Sequence, residues 1–340
     1  MTRVVASRVF GSLAAVFGAS VVSFLFLRVL PGDPAQLILG PFASNEQIAD
    51  LTHELGLDEP IHVQYAQYLS DFFRGHWGHS FGTGASVTTL MKQTLPASIE
   101  LGLYAFAIAF VGAVVLALLA TYRRRPVVDG AVRSLSFLGL GMAPFWLGIL
   151  LLLLFFEGLD VLPGPDGRLG FDTAPPPAKT SLYTIDALLA GQWGVFWDAF
   201  RHLILPAFTL AFLPFAYLVR LLRANLLEVS REPFLVVARS KGLSRWTTFA
   251  RHALPNAFLP TLTAAGLIFA QLITNAVLVE KVFNWPGVGA LVVDSILRQD
   301  FAVVQTFILL AAFMYVVVNV LVDVLYGVVD PRVRARTGLR

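Results

Sequence analysis

The chain has 340 residues, 56% of them apolar and only 14% charged, with no cysteine and a net charge of +3. Soluble domains carry about a quarter of their residues as charges, so this composition excludes a disordered chain, a disulfide scaffold and an ordinary cytosolic enzyme. The missing cysteine also excludes thiol catalysis, Cys-ligated zinc and iron–sulfur centres.

Six uncharged runs are long enough to cross a hydrocarbon layer of about 30 Å as helix. They are Val9–Leu27, Leu101–Ala120, Ser134–Phe156, Leu203–Val219, Ala253–Val279 and Ala302–Val322. They predict an all-α, polytopic membrane protein with six transmembrane helices. Pro144 interrupts the third run, Pro206 and Pro214 lie in the fourth, and Pro255 and Pro260 open the fifth. Such prolines are tolerated where neighbouring protein satisfies the freed carbonyls, so a packed bundle is expected. The first run is too long for a signal-peptide core, and Arg28-Val-Leu-Pro-Gly-Asp33 after it is no cleavage site, which predicts a retained helix.

Between the first two runs, residues 31–97 are too long for a simple connector. Ser44 can cap a helix with Gln47 three residues on, placing Ile48, Leu51 and Leu55 on one face before Gly56. A second helix is expected from Pro60, with Ile61, Tyr65, Leu69 and Phe72 along a stripe. The pair either covers the mouth of a bundle or lies on the bilayer surface. Residues 157–202 are rich in Gly and Pro and end in Trp193, Phe196, Trp197 and Phe200, which read as interfacial anchors, with substrate contact as the alternative.

Seventeen of the 25 Lys and Arg residues fall in segments 1–8, 121–133, 220–252 and 323–340, and most acidic residues fall in 31–100 and 157–202. The positive-inside rule then predicts that both termini are cytoplasmic. The basic balance is a topology signal; no Lys/Arg cluster interleaved with aromatics suggests nucleic acid.

The segment 223–256 is long for a helix–helix connection. Phe234 to Lys241 can form a short helix, Gly242 supplies a sharp bend, and Ser244 can cap a second helix with Trp246, Phe249 and Ala253 on one face. Such a unit is either a docking surface for another protein or an interfacial helix lying among headgroups. Among polar residues in the spans, Gln271, Thr274 and Asn275 either line a pore or bond between helices. Asn319 and Asp323 share a face of the sixth helix, and Asp323 serves either a structural pair with Arg220 or Arg223 or a gate. Glu100 and Glu280, at span ends, are expected to meet water. His76 and His79 read as structural rather than metal-binding, since no third ligand is in view.

Taken together, Val236-Val-Ala-Arg-Ser-Lys-Gly242 and, nine residues on, His252-Ala-Leu-Pro255 resemble the EAA loop of ABC-importer membrane subunits. Only Ala238 of the first three motif positions matches literally, but the fuller wording is that of the dipeptide/oligopeptide branch. Arg28-Val-Leu-Pro-Gly-Asp-Pro34, Leu55-Gly-Leu-Asp58, Leu95-Pro-Ala-Ser-Ile-Glu100, Ala143-Pro-Phe-Trp-Leu-Gly148, Glu280-Lys-Val-Phe-Asn-Trp-Pro-Gly-Val-Gly289 and Asp330-Pro-Arg-Val-Arg334 are similar to its other blocks. Gly75-His-Trp-Gly-His79 departs from the usual Gly-Asp-x-Gly there. The set resembles the first permease subunit of a peptide-type importer.

The resemblance implies a type I importer-like permease fold. Residues 1–30 would be a cytoplasmic tip and first span, 31–97 an extracytoplasmic helical segment, 98–335 a five-helix core with outside loop 157–202 and cytoplasmic coupling loop 223–256, and 336–340 a tail. It implies a bacterial or archaeal cytoplasmic membrane, a second homologous permease as heterodimer partner, two cytoplasmic ATP-binding subunits and an extracytoplasmic binding protein. The chain contains no Gly-x-x-x-x-Gly-Lys-[Ser/Thr], so ATP and Mg would be used by the partners and no cofactor bound directly. The coupling loop would contact an ATPase through Ala238, Arg239, Lys241, Gly242, Leu243, Ser244, Arg245, Trp246, Phe249, His252, Leu254 and Pro255. Peptides are the expected cargo, with nickel, glutathione or another small solute as alternatives. A secondary transporter would need inverted repeats and midplane carboxylates, and an intramembrane hydrolase a mid-span nucleophile and base; the sequence offers neither.

Overall fold

In the computed structural model the described residues are 14, 16–25, 36, 39, 42–54, 56–80, 82–123 and 126–329. The helices among them, in chain order, begin with α1 (Val16–Leu25), α2 (Asn45–Glu54), α3 (Ile61–Arg74), α4 (Val87–Arg123), α5 (Pro126–Gly141) and α6 (Pro144–Leu152). α6 runs on as a π-helical turn, Leu153–Gly158. Then come α7 (Tyr183–Leu189), α8 (Trp193–Val229), α9 (Pro233–Ser240), α10 (Arg245–Thr248), a π segment Phe249–Ala253, α11 (Leu254–Thr274), α12 (Val277–Val282), α13 (Val288–Leu297) and α14 (Phe301–Val329). No strand occurs among the described residues; one isolated bridge joins His79 to Ser86.

Among the described residues, four helical stretches are long and apolar enough to span a membrane: Val87–Tyr122, Trp193–Val229, Arg245–Leu272 and Phe301–Val320. Shorter apolar helices are Val16–Leu25, Pro144–Gly158 and Val288–Leu297. The third expected run is not one helix: the chain leaves helical geometry at Met142–Ala143, and Pro144 starts the next helix at its first turn. The fourth is far longer than its apolar run. α8 keeps helical geometry through Pro206 and Pro214 for 37 residues, about 55 Å at 1.5 Å per residue.

The chain divides into two compact units, residues 96–290 with the segment from 317, and residues 2–95 with 291–316. In the first, α4 presents Ala97, Leu101, Ala105, Ala109, Ala113 and Ala117 at four-residue intervals, none more than 1% exposed. Small side chains at this spacing let helix backbones approach closely where lipid supplies no hydrophobic drive. Along them pack Leu203, Leu210, Leu218, Leu222 and Leu226 of α8. α5 lies against the same helix so tightly that a Cβ on Gly139 would collide with that of Ala216.

In the second unit, Ser44 and Gln47 form the expected reciprocal cap, at 2.9 and 3.2 Å. α3 begins after Pro60 and ends at Gly75, whose φ of +78° suits glycine. Its packed face runs through Tyr65 and Tyr68, which meet Phe24 at 5.1 and 5.8 Å between ring centroids, and through Phe72, stacked on Trp77. Ile61, expected on that face, is 62% exposed, because the stripe begins a turn later. Ser80 donates to the buried carboxylate of Asp300.

Candidate functional site

The segment from Pro233 to Ala253 has the expected helix–bend–helix form. α9 ends at Ser240 with Lys241 as its C-cap, and Gly242 follows with φ +81°, a left-handed conformation that an L side chain occupies at a cost. Gly242 N–H donates to the Arg239 carbonyl at 2.9 Å, which closes the bend. Ser244 then caps α10, its Oγ accepting from Thr247 N–H at 3.1 Å.

Ala238 is buried, whereas Arg239, Lys241, Gly242, Ser244, Arg245 and Pro255 are exposed and Phe249, His252 and Leu254 are half-buried. Five large apolar side chains stand out to solvent: Phe234, Val236, Val237, Leu243 and Trp246, the last at 58%. Arg245, expected with Arg239 and Lys241 to face a partner, also works within the chain. Its Nη2 donates to the Tyr122 carbonyl at 2.8 Å, and Tyr122 packs edge-on against Trp246 at 5.3 Å and beside Phe249 at 5.5 Å. Tyr122, at the end of α4, thus seats the root of the loop; nothing in its own neighbourhood of sequence marks it. Asn225 of α8 likewise reaches α11, donating to Thr261 Oγ1 at 3.3 Å.

The polar residues of the fifth run sort differently. Gln271 and Asn275 line a cavity of about 410 Å³, together with Pro144, Leu210, Pro214 and Tyr217 among others. The side chains of Thr274 and Asp323 lie outside the described residues, and with Asp323 goes its expected pairing with Arg220 or Arg223. Asn319 is half-buried, and its Oδ1 has no hydrogen-bond partner among the described residues.

Glu100 and Glu280 overturn the expectation that they meet water: they are 2% and 0% exposed. Glu100 accepts from Arg168 Nη2 at 2.6 Å, from Thr184 N–H at 2.8 Å and from Thr184 Oγ1 at 2.6 Å. Glu280 accepts from Ser98 Oγ at 2.6 Å and Ala290 N–H at 2.9 Å, and a Cβ on Gly287 would strike its carboxylate. Their partners come from segments up to 182 residues away, which no local pattern announces. Two residues from Thr184, Asp186 accepts from Lys179, Thr180 and Ser181 N–H and from Thr180 Oγ1. Burial alone would raise the Asp186 carboxyl, but these hydrogen bonds outweigh it and hold the group below the usual carboxylate range. His76 and His79 are exposed, and among the described residues no three His, Asp or Glu side chains are grouped to hold a metal ion.

Residues 113–335 match the family of binding-protein-dependent transport system inner membrane components, and residues 1–102 match the N-terminal model for the same kind of membrane component. The chain belongs to this family. It is 40% identical over 326 residues to a protein of Escherichia coli K12 described as a probable D,D-dipeptide transport system permease, covering 96% of each chain. It is 39% identical over 321 residues to a di/tripeptide transport system permease of Pseudomonas aeruginosa, covering 94% of each. The dipeptide transport system permease of E. coli K12 is 37% identical over 322 residues, 93% of this chain. This inner-membrane component is therefore a polytopic, helical permease of the ABC transport class, in which the exposed loop and the cavity are the two features that call for a function.

Proposed function

We propose that the chain is a non-catalytic permease subunit forming half of the translocation pathway for di- and oligopeptides in an ATP-driven importer. Both termini lie in the cytoplasm, and the loop 223–256 seats in one of two cytoplasmic ATPases. A second, homologous permease completes the pathway, and an extracytoplasmic binding protein delivers the peptide. The peptide cargo rests on the relatives named above, each of which carries dipeptide or di/tripeptide transport in its description.

One observation carries the coupling role. From Arg245 to Thr274 the chain is helical without interruption, α10 passing through the π segment into α11. Trp246 at one end and Gln271 at the cavity are 25 residues apart on this rod, about 38 Å. A rigid displacement of the exposed end by a closing ATPase pair is thereby delivered to the cavity wall, with no loop between to absorb it. Gly242 frees the rod's end from α9, Trp246 offers an apolar anchor, and Arg239 and Lys241 orient the approach.

The test is the transport complex reconstituted in liposomes with Gly242→Val or Trp246→Asp. Both variants are expected to abolish peptide-stimulated ATP hydrolysis while the complex is still recovered. Normal coupled uptake in either assembled variant would sink the docking assignment.

A further inference from the structure

A second, much smaller space lies at the root of the bend at Gly242. Four segments close it: the last turn of α4, the end of α8, α9, and α10 with its π segment. Thr121 reaches it from α4 and Thr248 from α10, and the hydroxyls of both are buried with no hydrogen-bond partner among the described residues. The two residues are 6% and 2% exposed. A hydroxyl taken out of water without a partner is costly, and folded chains pair nearly all such groups. Two of them, from segments distant in sequence, meeting at one space point to a solute that satisfies both.

The surroundings say which solute. Arg239 of α9 and Arg245 of α10, on either side of Gly242 in the chain, line the same space, and both are exposed. Arg245 is already fixed in place: its Nη2 donates to the Tyr122 carbonyl, and its guanidinium sits 5.3 Å from the centre of the Tyr122 ring. That one bond uses a single N–H of a group that carries five. No acidic side chain lines the space among the described residues. Two guanidinium groups and two unpaired hydroxyls can all donate, and an anion asks for donors alone, whereas water asks for acceptors as well. Leu235 and Ala253, 2% and 1% exposed, give it a dry floor, where a charge-assisted hydrogen bond is stronger than in water. The space measures about 40 Å³, on a scale where one water needs about 10–15 Å³. It holds a few waters or one tetrahedral oxyanion, and it is too small for a peptide or a nucleotide.

We infer that this space binds a phosphoryl oxyanion between Arg239 and Arg245, with the Thr121 and Thr248 hydroxyls donating from the floor. Guanidinium forks match phosphate oxygens in pairs. Free inorganic phosphate and the headgroup phosphate of an anionic lipid share this chemistry. Bound there, the group bridges α9 and α10 across the Gly242 bend and ties both to the end of α4, so that occupancy stiffens the loop at its root.

The experiment follows the melting temperature of the full chain in maltoside detergent while inorganic phosphate replaces chloride at constant ionic strength. Wild type is expected to show a saturable rise, as a ligand of the folded state produces. Thr248→Val keeps the shape and removes the hydroxyl, so without phosphate it is expected to melt no lower than wild type. Its half-saturating phosphate concentration is expected to rise about tenfold, the scale of one hydrogen bond to a charged group. Arg239→Gln, at an exposed position that folding does not depend on, is expected to raise it at least as far. The same titration in nanodiscs of phosphatidylcholine or phosphatidylglycerol separates the two sources. An equal phosphate shift in both assigns the free anion; a shift lost in phosphatidylglycerol assigns the lipid headgroup, which already fills the site. A wild-type chain with no saturable rise in detergent overturns the inference. So does a rise that is the same in wild type, Thr248→Val and Arg239→Gln, which is a general salt effect. A Thr248→Val chain that melts lower without phosphate overturns it too, because the hydroxyl then has its partner within the chain. The readout involves no transport, so its failure leaves the proposed function untouched.

Discussion

Two parts of the same compact unit treat their polar and apolar groups in opposite ways. Around Glu100, Arg168 and Glu280, charges are buried and each carboxylate is met by donors from distant segments. Between Pro233 and Arg251 the reverse holds: large apolar side chains are exposed and basic residues surround them. The first region completes itself within the chain, and a buried pair of this kind tolerates the loss of neither member. The second region leaves apolar area uncovered, which a chain does at its own expense unless something else covers it. The contrast separates groups satisfied within the chain from groups the chain leaves uncovered, a distinction that composition alone hides because both regions are charged.

Removing Arg168 strikes the self-completed region hardest. Arg168→Ala leaves the buried Glu100 carboxylate, among the described residues, with Thr184 as its donor and is expected to cost about 3–5 kcal/mol, read as a lower melting temperature of the detergent-solubilised chain. An unchanged melting temperature would erase the distinction. A smaller effect is expected at Asp186. Its carboxyl is depressed in the folded protein, so its contribution is present above the unfolded value of about 3.9 and is lost as pH falls through the folded one. Amide-exchange protection of residues 179–190 should stay level from neutral pH to about pH 4 and then decline, and Asp186→Asn should remove that acid-side decline. Least of all should be felt at Trp246. Trp246→Ala gives up its edge-on pair with Tyr122 and is expected to cost no more than about 0.5–1.5 kcal/mol, a shift well below that of Arg168→Ala in the same melting assay.

The all-helical architecture and the loop from Phe234 to Ala253 were legible in the sequence because each rests on local signals. Uncharged runs mark the spans, Gly242 the bend, Ser44 and Ser244 the caps. What stayed hidden depends on long-range encounters. Arg168 reads as a loop cation until the fold carries it to Glu100, and Tyr122 as a residue just past a span until α10 closes on it. The cavity was half visible: Gln271 and Asn275 stood out as polar residues in an apolar run. That Pro144 and Pro214 border the same space follows only from how α6, α8 and α11 pack, and a proline in a span has no sequence signature for what it faces.

The π segment Phe249–Ala253 sets the angular phase of the rod it is part of. A π turn holds an extra residue, and each residue of ordinary helix turns the chain by about 100°. The direction in which Trp246 points, compared with that of Gln271, is therefore set by those five residues rather than by the composition of either end. Deleting one residue there would leave the exposed face and the cavity face each intact in sequence, yet rotated out of step. The phase between the exposed end of the rod and its cavity end is thus a property of the π segment alone.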